Sequence, residues 1–158
     1  MKILKKTVLA AACVGTLVFA GSAFASGTQT LTPTGNVPAT CVFTSGPYSM
    51  PFGTLTPGGT TDATHTTTIA YQCTNGTAAS SIKVNSAASP SAVTMANTLD
   101  ATTLSVGLAW TVPTAKGVGI GSSLASITMD IVGTIAAGAI NTATAGSYTA
   151  IYNIDLLP

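Results

Sequence analysis

Arginine and glutamate are both absent from this 158-residue chain, and His65 is its only histidine. Charged residues make up just 6% of it, and each shortage excludes a class of function. Binding to a phosphate backbone draws on clustered cations that release counterions, so nucleic acid is not an expected partner. Glycoside hydrolysis needs two poised carboxyls; with no glutamate they would have to come from Asp62, Asp100, Asp130 and Asp155, which no spacing links. One histidine, scattered aspartates and few cysteines give no metal-ligand spacing. No metal, cofactor or small-molecule substrate is expected.

Two motifs keep an enzymatic alternative open. Asp62 lies three residues before His65, and a hydrolase would need these joined by a nucleophilic serine. Serines are so frequent that such matches arise by accident, and the plainer reading is a solvated loop or strand-edge histidine among threonines. Gly117-Val118-Gly119-Ile120-Gly121 lacks the Lys-Ser/Thr ending and following helix of a phosphate loop, and is expected to be a flexible loop. The chain is therefore not expected to be an enzyme.

The N-terminus is organised as a secretory signal peptide: Lys2, Lys5 and Lys6, an uncharged apolar run over residues 7–20, then Ala23-Phe24-Ala25. Cleavage after Ala25 is expected. The run is shorter than the roughly 18 residues of a membrane span. Cys13 after Ala11-Ala12 offers a lipoprotein site as the alternative, although few apolar residues precede it.

Beyond residue 25 the length suits one domain. Only Lys83 and Lys116 remain against four aspartates, in a chain dominated by Thr, Ala, Ser and Gly. Such composition favours strands over helices. The remaining cysteines, Cys41 and Cys73, form an even pair in an oxidising compartment and are expected to be disulfide-bonded; two buried free thiols are the alternative.

Apolar residues recur with the period of a half-buried strand. Ile69, Tyr71 and Cys73 alternate with smaller or polar neighbours; Asn75-Gly76 supplies a turn, and Ile82 and Val84 resume the alternation. Leu104, Val106, Leu108, Trp110 and Val112 form a second such run, which Pro113 ends. Trp110 on this run reads as core rather than as an anchor for a glycan. Ile127, Met129, Ile131 and Ile135 form a third. Tyr148, Ala150, Tyr152, Ile154 and Leu156 form a last inward face after the break at Ala145-Gly146. With a first segment at Cys41 to Phe43, six or seven strands are expected in an all-β sandwich, a barrel being the alternative. Residues 87–101 and 117–123 show no sustained period and are expected to be loops.

Four features in order carry a family resemblance: Ala39-Thr40-Cys41, Phe52-Gly53-Thr54 followed by Pro57, Cys73-Thr74-Asn75-Gly76, and Ala145-Gly146-Ser147-Tyr148. In these the chain resembles spore coat U domain proteins, which include subunits of archaic chaperone–usher pili. The resemblance implies an immunoglobulin-like β-sandwich at residues 38–158 that lacks its final strand and is completed by donor-strand complementation. It implies a groove bordered by the strand of Tyr148, Ala150, Tyr152, Ile154 and Leu156. An extension at residues 26–37, with Thr28, Thr30, Leu31 and Val37 as candidate donor residues, would fill the groove of a neighbour, since the chain stops just beyond the Tyr148 strand. The implied partners are a periplasmic chaperone, an outer-membrane usher and neighbouring subunits. The implied role is a structural subunit of a cell-surface fibre serving adhesion or biofilm formation, reached through the periplasm. A tip adhesin, a carbohydrate-binding module or a coat protein of the same fold are the alternatives.

Overall fold

The computed structural model describes residues 28–158. The expected signal peptide at residues 1–25, with Cys13, and the first residues of the expected extension, Ser26 and Gly27, lie outside the described residues. Two compact units divide the chain, Met1–Asn36 and Val37–Pro158. In the first, the described residues have no regular secondary structure, and Leu31 is 93% exposed.

The regular structure of the second unit is almost entirely antiparallel β strand. Its elements are β1 (Cys41–Phe43), β2 (Ala63–Cys73), β3 (Ser81–Val84), β4 (Ser91–Asn97), β5 (Thr103–Trp110), β6 (Ile127–Ile135), a short helix α1 (Ala137–Thr142), β7 (Tyr148–Thr149) and β8 (Ile154–Leu157). Six strands form one sheet in the order β1-β2-β6-β5-β4-β7, and β3 pairs with β8 in a second.

Sequence alternation sets which face is buried. Along β5, Leu104, Val106, Leu108 and Trp110 are buried while the residues between them are exposed. In β6 the same face carries Met129, Ile131, Gly133 and Ile135. Ile82 and Val84 of β3 join these in one core, with Ile154 and Leu156 of β8 packed against it. The Trp110 indole N–H donates to the Ile82 carbonyl at 3.0 Å, so a strand of each sheet is tied across the core. Trp110 is a core residue, buried among these side chains.

Cys41 and Cys73 are disulfide-bonded, with Cα atoms 4.0 Å apart. They face each other directly in the β1–β2 register. This is a position without mutual backbone bonds, since the Cys73 carbonyl accepts instead from Gly119 N–H; such positions bring facing side chains closest. Closing a loop across a sequence separation of 32 contributes roughly 3–4 kcal/mol in the chain-entropy account.

Three expectations are corrected. Residues 87–101 are not a loop: they contain β4, whose Val93, Met95 and Asn97 share one face. Only two of those three are apolar, so the period-two signal was too weak to read. A short connection does join the strands on either side of Asn75-Gly76 as expected, with β2 and β3 in different sheets. Eight strands form rather than six or seven, partly because the last run is not one strand. Finally, the Gly-rich segment at residues 117–123 is pinned in place. Gly117 exchanges backbone bonds with Gly76 and Thr77, and a Cβ there would lie 2.8 Å from that of Cys73. Gln72 holds the rest, donating to the carbonyls of Gly121 and Leu124 and accepting from Gly121 N–H.

The β4–β5 connection is closed by side chains. Asn97 Oδ1 accepts from Leu99 N–H, and Asp100 accepts from both the hydroxyl and the N–H of Thr102. Those bonds hold the Asp100 carboxyl below its ordinary range.

Candidate assembly groove

The inner face of the large sheet is wider than the two strands opposite it. Val93 and Met95 of β4, Val106 and Leu108 of β5, and Ile131 of β6 form the floor of an open depression. One wall is an irregular segment at residues 48–55, and the other is the C-terminal chain from Tyr148 to Ile154. Two cavities with shared lining residues lie along it. The smaller, of about 310 Å³, is bounded by Tyr48, Tyr152 and Ile154 among others. The larger, of about 740 Å³, runs on past Leu55, Ile140 and Tyr148. Met50, Phe52 and Met95 line both, and no charged side chain lines either.

The first wall is held by tyrosine and by a missing side chain. The Tyr48 hydroxyl donates to the Ala70 carbonyl and accepts from Ala70 N–H, both at 3.1 Å. Met50 and Phe52 then lie across β6 at Gly133, where a Cβ would come within 2.8 Å of the Phe52 ring. The Thr67 hydroxyl donates to the Ser49 carbonyl. His65, on the inward face of β2, meets Phe52 edge-on with ring centroids 6.3 Å apart.

The second wall departs from the expected continuous strand. Tyr148 pairs with Asn97 and Thr149 with Ala96, after which pairing with β4 stops. Four residues later the chain is β8, paired with β3 in the other sheet. Tyr148, Tyr152, Ile154 and Leu156 remain half-buried as the alternation demanded, whereas Ala150 is exposed. Tyr148, Ala150, Tyr152 and Ile154 line the depression and Leu156 does not. The alternation was read correctly, but a change of sheet in mid-run leaves no mark on it. Gly146 makes the approach to this wall possible, since a Cβ there would come within 2.8 Å of the Asn97 amide carbon.

No family model, curated protein or solved structure matches the chain. The resemblance to spore coat U domains therefore rests on the four motifs alone.

The remaining candidate residues have separate places. Thr28, Thr30, Leu31 and Val37 lie in irregular chain with exposed side chains. Asp62 accepts from Ala137 N–H at the start of α1 and is not drawn toward His65 by any hydrogen bond among the described residues. Tyr71 is fully buried, its hydroxyl has no hydrogen-bond partner among the described residues, and burial pushes its phenol pKa up. The residues that sequence reasoning missed include Tyr48, Met50 and Leu55 of the first wall and Val93 and Met95 of the floor. Tyr48, Met50 and Phe52 do alternate, but Pro47 and Pro51 interrupt them and hide the pattern.

Proposed function

We propose that the chain is a secreted structural subunit of a bacterial surface fibre, whose groove receives the N-terminal extension of the next subunit. The observation that carries this reading is the mismatch between a six-stranded sheet and a two-stranded one, which leaves an uncharged trench between residues 48–55 and the C-terminal wall. On this reading the two sheets are the halves of an immunoglobulin-like sandwich that lacks one strand. Among the described residues β8 pairs only with β3, so its other edge is available to an incoming strand. Strand addition supplies main-chain bonds for affinity and side-chain pockets for register.

The extension at residues 26–37 is the donor, with Thr28, Thr30, Leu31 and Val37 as its candidate donor residues and the face that carries Leu31, its anchor, turned to the groove. Leu31 is the one large apolar side chain in the centre of that segment, and its full burial contributes roughly 1.5–3 kcal/mol. A periplasmic chaperone would cover the groove before assembly and an outer-membrane usher would pass the subunits to the surface. Contacts between groove and extension are head-to-tail and do not close, which gives a linear fibre.

Electron microscopy of purified subunits or cell surfaces tests the reading. Leu31→Asp, or deletion of residues 26–36, should abolish fibres and leave the subunit folded. Normal fibres from either chain would overturn it.

A further inference from the structure

In an antiparallel ladder the N–H and C=O of alternate residues point to opposite edges of a strand. The phase in β2 is fixed by three contacts on the side away from β6. Thr44 N–H donates to the Ala70 carbonyl, Thr74 N–H donates to the Thr40 carbonyl, and the Tyr48 hydroxyl binds both backbone groups of Ala70. The register with β6 runs unbroken from Ala63 to Tyr71. Thr64, Thr66 and Thr68 must then turn their N–H and C=O groups outward as well.

No strand or side chain among the described residues meets those groups. Strand β1 reaches only as far as Tyr71, and beyond the Thr44–Ala70 bond no backbone hydrogen bond among the described residues continues toward Thr64. Elsewhere on the same sheet's outer edges several such groups are covered. Ala96 is covered by Thr149, Thr94 by the Tyr152 hydroxyl and Ala70 by that of Tyr48. The three threonine side chains are exposed, and the segment carries none of the lysines, prolines or bulges with which edge strands avoid pairing.

We propose that this edge of β2, at residues 64–68, is a self-association surface that pairs with the same edge of a second copy of this chain. A two-fold axis at Thr66 sets Thr66 opposite its counterpart and Thr64 opposite Thr68, so every outward N–H meets an outward carbonyl. The surface is self-complementary, as an isologous interface requires. It carries no charge, and β-branched threonines face each other across it, a favourable cross-strand pairing. The same axis would bring Asp62 opposite Ala70, whose backbone Tyr48 already occupies, so the pairing ends there and stays short. None of residues 64, 66 and 68 lines the groove, and this contact is independent of fibre assembly.

The test uses the chain from Ser26 carrying Leu31→Asp, which removes assembly through the extension. Sedimentation velocity should show a monomer–dimer equilibrium, and amide exchange at Thr64, Thr66 and Thr68 should slow as protein concentration rises. Thr66→Pro removes one outward N–H without touching the β6 ladder and should weaken the dimer about tenfold or more. Should Thr66→Pro fail to fold by circular dichroism, Thr66→Lys, which leaves the backbone intact and sets two like charges face to face, should do the same. A chain that is monomeric at every concentration overturns the proposal. So does a dimer that leaves the three amides unprotected or survives a folded edge variant.

Discussion

The Tyr152 hydroxyl stands where a strand would stand against Thr94: it accepts the Thr94 N–H at 2.9 Å and donates to the Thr94 carbonyl. Continuing the β4–β7 register would have put Ile151 opposite Thr94, yet Ile151 is 97% exposed. One oxygen thus satisfies both backbone groups that the departing chain left behind. Tyr48 does the same for Ala70 on the opposite side of the sheet, and the two rings help to wall the smaller cavity. Orphaned backbone groups are costly wherever water is excluded, which explains why a polar-tipped aromatic stands at each place.

Tyr152→Phe should therefore cost about 1–3 kcal/mol, read from urea denaturation midpoints. Amide exchange at Thr94 should speed up locally, while Val93, on the paired side of β4, stays protected. An unchanged midpoint together with unchanged exchange at Thr94 would show that water replaces the hydroxyl without loss.

Tyr71 predicts the opposite sign for the same substitution. Its hydroxyl is buried without a partner, so Tyr71→Phe should leave stability unchanged or raise it by up to about 1–3 kcal/mol. The pH dependence follows from the raised phenol pKa. The stabilising contribution of the neutral phenol is complete below its ordinary value of about 10 and is lost as pH rises through the higher folded value. Denaturation at alkaline pH should show this decline in the parent chain and a smaller one in Tyr71→Phe. Equal declines in both would place the alkaline sensitivity elsewhere.

The strands at β2, β5 and β6 were legible because each buries one face against a common core and exposes the other, which is what period-two alternation encodes. Strand β4 was hidden because its inward face includes Asn97, whose side chain closes a turn instead of filling the core. The gap at Gly133 in an otherwise apolar face is the space that Met50 and Phe52 occupy. The disulfide was legible from the even pair of cysteines that lies beyond the expected signal peptide. The groove was not. Its walls come from two segments far apart in sequence, one interrupted by prolines and one changing sheets, and neither event has a periodic signature.

The fibre reading makes its sharpest prediction at Met95, the floor residue common to both cavities. Met95→Trp should fill the depression without removing any core contact, so the subunit should remain folded, show weaker binding of apolar dyes, and form no fibres. This lesion lies on the accepting side, whereas Leu31→Asp lies on the donating side. Each chain keeps what the other lacks: Met95→Trp has an intact extension, and Leu31→Asp has an intact groove. Mixed, they should form one-to-one heterodimers that cannot grow, because the only remaining free groove is filled and the only remaining free extension carries a charge. Native mass spectrometry separates these from dimers paired through β2, which would form between like and unlike chains in statistical proportion. An excess of heterodimer is the expected result. A statistical distribution, or fibres from the Met95→Trp chain alone, would show that the depression does not receive the extension.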